Sequence, residues 1–217
     1  MKVTTDACLF GAWVAEHCNE TIRTLLDIGT GTGLLSLMIA QKNGCDIDAV
    51  EIDRQAAAEA KENIAASPWM KRISVIEADI SSLSLKKYDA VVSNPPFYED
   101  DLKGPSEAKN IAHHSEDLKL SELVRIIKRS LDENGTFFLL LPFKRKDEIL
   151  LMMEETGLFL HELVQVSHSP RHPASRIMIK GGNNKKASEE SNIYIKNEEG
   201  EYSAEFVSLL KEYYLYL

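Results

Sequence analysis

The chain has 217 residues, of which 44% are hydrophobic and 27% are charged, and its formal net charge is −9 at pH 7. This length and balance predict one globular domain with a sizeable core and argue against a disordered chain. The acidic balance argues against a protein that coats itself with nucleic acid, although a local basic patch is compatible with it.

Two features bear on compartment and metal content. No apolar run reaches the roughly 18 residues that a membrane helix needs, and the first residues lack a basic-then-apolar leader, so we expect a cytoplasmic protein without membrane contact. The three cysteines, Cys8, Cys18 and Cys45, have no metal-ligand spacing. We therefore expect free thiols in a reducing compartment and no bound metal.

The first elements alternate between strand and helix. A short apolar helix, Cys8–Val14, with Asp6 as a possible cap, comes before the first strand. After it, apolar runs ended by polar or glycine residues alternate with helical patterns, which is typical of parallel βαβ units. The predicted strands are Leu25–Ile28, Asp46–Ile52, Ile73–Ala78, Tyr88–Ser93 and Thr136–Leu141, and the predicted helices are Leu34–Lys42, Arg54–Ala66, Leu118–Leu131 and Lys144–Glu155.

The alternation of strands and helices ends after residue 157. Leu158–Val166 and Ser175–Ile179 read as two strands without a helix between them, which predicts an antiparallel hairpin at one edge of the sheet. The polar residues 181–191 predict a mobile loop, residues 193–195 a short strand, and Ser203–Tyr216 a closing helix with Ser203 as its cap.

These elements predict an α/β fold. We expect a Rossmann-like, doubly wound, mostly parallel sheet of seven strands with an antiparallel edge hairpin. A single domain would span residues 1–217, with a helical segment at 1–23, the core at 24–180, and a loop and helix at 181–217. We expect this domain to act as a monomer.

The sequence Asn94-Pro95-Pro96-Phe97 directly follows the apolar run at 88–92. Two successive prolines cannot continue a strand, because neither has an N–H to donate. The turn therefore holds the Asn94 amide, followed by an aromatic ring, at the carboxyl edge of the sheet, where α/β proteins bind ligands. This arrangement suits a planar group that carries an NH₂.

A glycine-rich turn follows the first strand. Asp27 and Thr30 stand with Gly29 and Gly31 where strand gives way to helix, and glycines there allow close approach of a ligand. As a dinucleotide-binding motif the match is poor, because Leu34 occupies the position of a small residue. The Asp27 carboxylate would repel phosphates but attract an amino group.

Two further carboxylates end the next strands. Glu51, with Ile52 beside it, stands where a carboxylate accepts both ribose hydroxyls. Asp79 is placed to accept from an exocyclic amine, and Ile80 to cover a base. A ligand with an amine, a ribose and an adenine but no phosphate matches this set, and S-adenosylmethionine is such a ligand.

With these motifs the chain resembles a class I S-adenosylmethionine-dependent methyltransferase. The N-P-P-[FY] signature is typical of enzymes that methylate adenine N6 or a glutamine side chain, which implies catalytic roles for residues 94–97. The stretches at 1–13 and 200–215 are similar to the bacterial tRNA1(Val) adenine-37 N6-methyltransferase family. This resemblance implies tRNA as the substrate, and it departs from the family at His113, where an arginine is usual.

A basic rim is the predicted RNA contact. Lys144-Arg145-Lys146 follows the fifth strand, and further basic residues lie in and around the late hairpin. The RNA-contacting candidates are Arg171, Arg176, Lys185 and Lys186. A solvated basic loop is the alternative interpretation.

Three other functions compete with tRNA methylation, and the sequence disfavours each of them. A release-factor glutamine-N5 methyltransferase shares N-P-P-[FY] but usually has an additional amino-terminal helical domain. A non-catalytic, cofactor-binding RNA interaction module is disfavoured by the Asn94 turn. A nicotinamide-dependent oxidoreductase is disfavoured by Asp27 and Leu34.

Overall fold

The computed structural model describes residues 4–96 and 119–216. Within these ranges no helix is both long and apolar enough to cross a membrane. The six α-helices described are α1 (Thr5–His17), α2 (Leu34–Lys42), α3 (Arg54–Ala65), α4 (Leu120–Ser130), α5 (Lys146–Thr156) and α6 (Ala204–Leu210). The strands are β1 (Thr24–Ile28), β2 (Asp46–Glu51), β3 (Ile73–Glu77), β4 (Tyr88–Ser93), β5 (Leu131–Pro142), β6 (Phe159–Ser167), β7 (Ala174–Gly182) and β8 (Glu189–Tyr194).

All the described strands form one sheet in the order β3-β2-β1-β4-β5-β7-β6-β8. Strands β1 to β5 pair in parallel, and β7 runs antiparallel to both β5 and β6. The predicted fold class, a doubly wound and mostly parallel sheet with an antiparallel pair near one edge, is confirmed. The described sheet has eight strands rather than the predicted seven, because β8 pairs in parallel with β6.

The predicted mobile loop at 181–191 is wrong at both ends. Gly181 and Gly182 belong to β7, where they pair with Phe137 and Thr136 of β5. Glu189 already pairs with Glu162 in β8. The irregular connection therefore spans only 183–188. The glycines and polar residues on either side of it belong to strands because of their pairing with neighbouring strands, which local sequence does not reveal.

Two apolar layers cover the sheet. On one face, α1, α2 and α6 contribute buried side chains such as Phe10, Ile39 and Phe206. On the other face, α4 and α5 contribute Leu123, Ile127 and Ile149. Both layers are what a doubly wound sheet requires, because its central strands are apolar on both sides.

Local capping decides where several helices begin. The Thr4 hydroxyl accepts from the Ala7 N–H, so α1 is capped by Thr4 and not by Asp6 as predicted. Asp53 caps α3 and Ser203 caps α6, and both of these predictions are confirmed. Asp6 instead lies in the first turn of α1, with Oδ2 at 3.3 Å from Nε of Arg176 in β7.

Candidate active site

The ends of β1 and β4 are tied side by side. Ile28 pairs with Ser93 in the parallel ladder, and the Ser93 hydroxyl donates to the Ile28 carbonyl at 2.8 Å. The glycine turn that follows β1 and the proline turn that follows β4 therefore leave the same edge from neighbouring strands, which lie about 4.8 Å apart.

The turn after β1 depends on three left-handed glycines. Gly29, Gly31 and Gly33 have φ values of 71°, 58° and 85°, a region that side chains with a Cβ rarely adopt. Nothing lies within 4 Å of a Cβ built on Gly29, whereas one on Gly33 would meet Ile64 at 3.4 Å. Gly29 thus borders open space for a ligand, and Gly33 serves close packing of the turn on α3.

Asp27 lies fully buried in β1, under this turn. Its Oδ2 accepts from the Thr30 hydroxyl at 2.6 Å and from the Ser36 hydroxyl at 2.7 Å. Its Oδ1 is a buried oxygen without a hydrogen-bond partner among the described residues. Burial, together with the nearby Glu51 charge, raises the pKa of Asp27 to about 6, against the lowering effect of the two hydroxyls.

Glu51 closes β2 and braces the same turn. Its Oε2 accepts from the Gly31 N–H at 2.8 Å, and its Oε1 accepts from the Asp53 N–H at 2.9 Å. Each carboxylate oxygen can accept a second hydrogen bond. The backbone therefore fixes the orientation of the carboxylate and leaves it capacity for two more donors.

The two isoleucines of the predicted cofactor set differ in exposure. Ile52, directly after β2, is 55% exposed. Ile80 is only 6% exposed and packs in the layer that contains α4. Asp79, directly before Ile80, is exposed, and its Oδ1 accepts from the Ser81 N–H at 2.8 Å. Ile52 thus presents the open apolar surface here.

The turn after β4 begins as predicted. β4 ends at Ser93, and Asn94 and Pro95 are half-buried while Pro96 is exposed. The predictions for Phe97, and for the histidines at 113 and 114, concern positions outside the described residues. The structure thus brings together Asp27, Glu51 and Asn94 at one edge, as their positions at strand ends predict.

The predicted basic rim is divided between two edges. Arg176 pairs with Pro142 at the carboxyl end of β5, whereas Gly182, at the other end of β7, pairs with Thr136 near its start. Lys185 and Lys186 follow Gly182, so they lie at the opposite edge from Asn94. The six-residue separation of Arg176 and Gly182 along β7 corresponds to about 20 Å.

The two arginines have partners at the carboxyl edge. Arg171 lies in the β6–β7 turn with Nη2 at 3.4 Å from the Glu198 carbonyl. Arg176 is the residue whose guanidinium pairs with Asp6. The structure therefore does not bring together the four basic residues that the sequence suggested as one rim.

Sequence reasoning missed Ser36. This serine stands among leucines on α2, is fully buried, and donates to Asp27. The available signal was a hydroxyl at a core position of an otherwise apolar helix, because a buried hydroxyl needs a partner. As for metal ions, residues 4–96 and 119–216 contain no cluster of three or more histidine, cysteine or acidic side chains suited to one.

Comparisons with known proteins agree with this geometry. The model of the methyltransferase small domain family matches residues 12–148, more than half of the chain. The fold and the strand-end site, together with this match, define the chain as a methyltransferase.

Curated relatives give a narrower assignment. The chain is 37% identical over 220 residues to a tRNA1(Val) (adenine(37)-N6)-methyltransferase of Parabacteroides distasonis, covering 99% of this chain and 91% of the relative. It is 39% identical over 217 residues to the protein of that name from Pseudoalteromonas translucida, covering 99% and 92%. The chain belongs to the family of tRNA1(Val) (adenine(37)-N6)-methyltransferases.

Solved structures share the fold at low identity. A structure described as a predicted O-methyltransferase from Agrobacterium tumefaciens superposes with a TM-score of 0.75 at 16% identity, covering 95% of each chain. A glycopeptide N-methyltransferase solved with S-adenosyl-L-methionine has a TM-score of 0.63 at 12% identity, covering 82% of this chain and 95% of the other. These likenesses support the class I methyltransferase fold.

Proposed function

We propose that the protein methylates N6 of an adenine in tRNA with S-adenosylmethionine as the methyl donor, and that the target is adenine 37 of tRNA1(Val). The observation that carries this proposal is the pairing of Ile28 with Ser93. This pairing places the Asn94 turn, which suits an NH₂ group, beside the glycine turn over Asp27. This pairing supports an acceptor site and a donor site that are neighbours.

The residues present fit the cofactor. The orphaned Asp27 Oδ1 is a buried acceptor for an ammonium group, the open side of Gly29 admits a ligand against the backbone, and Glu51 retains capacity for two ribose hydroxyls. We assign Thr30 and Gly31 to the same turn. Ile52 offers an apolar surface to one face of the adenine, with Ile80 and Asp79 at its margin.

The bound cofactor supplies an electrophilic methyl group on a sulfonium. The adenine amine is a weak nucleophile, because its lone pair is delocalised into the ring. We assign the Asn94 side-chain oxygen and the Pro95 carbonyl as acceptors of its two N–H groups, which draws the nitrogen towards tetrahedral geometry. Alignment of this kind contributes up to roughly 7–11 kcal/mol in favourable cases.

No strong base is required in this scheme, since the nitrogen becomes acidic only after methyl transfer. Pro96 stiffens the turn, and we assign to Phe97, on the resemblance to the N-P-P-[FY] enzymes, a stacking contact with the base that would contribute about 1–3 kcal/mol. The base must leave its stack to reach the turn, which favours a loop adenine over a paired one.

The decisive experiment is Asn94→Ala. We expect this variant to lose methyl transfer to tRNA, because it removes an acceptor at the reacting nitrogen, while S-adenosylmethionine binding measured by calorimetry stays within about twofold. Transfer of the labelled methyl group at the wild-type rate would overturn the role of Asn94.

The acceptor class is tested with the wild-type protein. Total tRNA, a tRNA1(Val) transcript and a release factor are offered in parallel with labelled cofactor, and the methylated nucleoside is identified by mass spectrometry. Label in N6-methyladenosine at position 37 supports the proposal. Label in the release factor alone would replace it with glutamine-N5 methylation.

We further propose that residues 1–217 act as one domain, as a monomer in the cytoplasm, where tRNA is the partner. Light scattering at micromolar concentration tests the monomer. Support for the single domain comes from α1, α2 and α6, whose buried residues share one apolar layer with β1 and β2.

A further inference from the structure

An exposed aromatic ring lies at the carboxyl edge, beyond the proposed active site. The Tyr202 ring stacks on Phe206 with ring centroids 4.8 Å apart and planes at 15°. Phe206 is fully buried, yet Tyr202 is 44% exposed. Because Phe206 covers one face of the tyrosine, the exposed surface lies on the other face and the ring edge.

Backbone pairing holds this ring in place. Tyr202 forms an isolated antiparallel bridge with Lys196. The Ser203 N–H donates to the Ile195 carbonyl at 3.0 Å, and the connecting turn is closed by the Asn197 N–H, which donates to the Glu201 carbonyl at 2.8 Å. We call residues 195–203 the Tyr202 hairpin. A ring on such a support is pre-organised for stacking.

A shallow depression of about 460 Å³, open to solvent, adjoins the ring, and it is lined by Lys196, Gly200, Glu201, Tyr202 and Val207. This volume is within the range of small-molecule sites, so it can admit a nucleobase. The lining combines an aromatic ring, an ammonium group and a carboxylate. An unpaired base can stack on the ring and meet both charged groups with its polar edge.

The position of the Tyr202 hairpin relates it to Asn94. β8 ends at Tyr194, which pairs with Ser167 at the end of β6, and β6 and β7 meet at this edge through Ser167 and Ala174. Four strand spacings separate β4 from β8, or about 19 Å. At about 3.4 Å per stacked nucleotide, a short stretch of RNA spans that distance.

Cationic side chains lie between the two points. Lys144 is exposed directly after β5, and Arg171 reaches from the β6–β7 turn to the Glu198 carbonyl of the Tyr202 hairpin. The Tyr202 hairpin itself carries negative charge, because Glu198 and Glu199 are exposed. Phosphates are thus attracted to Lys144 and Arg171, while the acidic hairpin favours contact through a base.

Resting on the proposed function, we infer that Tyr202 is a stacking platform for an unpaired nucleotide of the tRNA substrate, distinct from the adenine that is methylated. The intervening RNA backbone crosses Lys144 and Arg171. Lys185 and Lys186, at the opposite edge, take no part. The carboxyl edge therefore binds its substrate at two separated bases.

The test uses the full chain and an unmodified tRNA1(Val) transcript. Tyr202→Leu keeps an apolar cover over Phe206 but removes the aromatic face, and Tyr202→Phe keeps the face. We expect Tyr202→Leu to raise KM for the transcript about 5- to 150-fold, the range for loss of one base stack. Tyr202→Phe should stay near wild type, and both variants should keep kcat at saturating RNA and S-adenosylmethionine affinity.

Salt dependence separates stacking from charge. Arg171→Glu should weaken RNA binding and reduce the slope of log affinity against log salt by about one, whereas Tyr202→Leu should weaken binding at unchanged slope. The matched control, Lys185→Glu with Lys186→Glu, should leave both quantities unchanged.

Two outcomes would overturn the inference. One is a Tyr202→Leu variant with wild-type melting temperature and unchanged KM for RNA, and the other is an equal loss caused by the Lys185 and Lys186 reversals. Failure of the proposed function looks different, since the wild-type protein would then transfer no methyl group to the transcript.

Discussion

At the scale of single residues, the two oxygens of Asp27 have different surroundings. Thr30 and Ser36 both donate to Oδ2, and Oδ1 is left without a partner among the described residues. A buried acceptor of this kind is costly unless a ligand satisfies it. Ser36 is fully buried and donates to Asp27, so it is a positioning residue in the proposed site.

This arrangement predicts a pH dependence of cofactor binding. Asp27 must be ionised to pair with an ammonium group, and its pKa is about 6. S-adenosylmethionine affinity should therefore be highest near pH 7, fall about tenfold per pH unit well below pH 6, and decline again above about pH 8, where the amino group of the ligand loses its proton. Ser36→Ala removes a donor to the carboxylate, so it should shift the midpoint to higher pH.

Calorimetric titrations from pH 5 to pH 8 measure both midpoints. Ser36→Thr, which can retain a hydroxyl, serves as the rescue variant. A pH-independent affinity, or a Ser36→Ala profile superimposable on the wild type, would exclude Asp27 as the ammonium acceptor. For folding the sign is opposite: because the pKa of Asp27 is raised from its ordinary value of 3.8 to about 6, the contribution of Asp27 to stability declines as the pH rises between these two values.

At the scale of elements, the packing of β7 against β5 and β6 requires a glycine at position 181, which the sequence alone does not identify as a strand residue. A Cβ on Gly181 would lie 2.5 Å from a ring carbon of Phe137 and 2.6 Å from the Phe159 carbonyl oxygen. Because the backbone of β6 cannot move aside without a cost in energy, Gly181→Ala should reduce the free energy of unfolding by about 1–3 kcal/mol. Urea denaturation measures this change.

Gly44 provides the matched control, because nothing lies within 4 Å of a Cβ built there. Gly44→Ala should be neutral or slightly stabilising through its effect on the unfolded chain. If the Gly181→Ala variant were as stable as the wild type, Gly181 would not be packed between β5 and β6. It would then behave as a loop position.

Sequence reasoning reached the parallel strands because their apolar runs, caps and turn residues are local signals. It placed Asn94, Asp27 and Glu51 at one edge because parallel strands share their carboxyl ends. It failed where pairing is non-local: Gly181 has no side chain to show periodicity, and β8 is polar. For the same reason, the sequence suggested one basic rim for Lys185 and Arg171. The direction of β7, which decides the edge that each residue occupies, is not a local signal.

At the scale of the whole molecule, one sheet joins two apolar layers, and the proposed cofactor site draws on β1, β2 and the turn over α2. A ligand bound there stabilises the folded state only, by an amount set by its concentration relative to Kd. At 100 times Kd the gain is about 2.7 kcal/mol, which for a chain of this size corresponds to a rise in melting temperature of about 5–10 °C.

Glu51→Ala should weaken this response. The substitution removes the acceptor proposed for the ribose and the brace on the Gly31 N–H, so a higher cofactor concentration should be needed for the same rise. Glu51→Gln keeps one acceptor oxygen and should give an intermediate shift. Scanning calorimetry with and without S-adenosylmethionine measures the shift independently of methyl transfer. If Glu51→Ala matched the wild-type shift at every concentration, the ribose would have to lie elsewhere than at the end of β2.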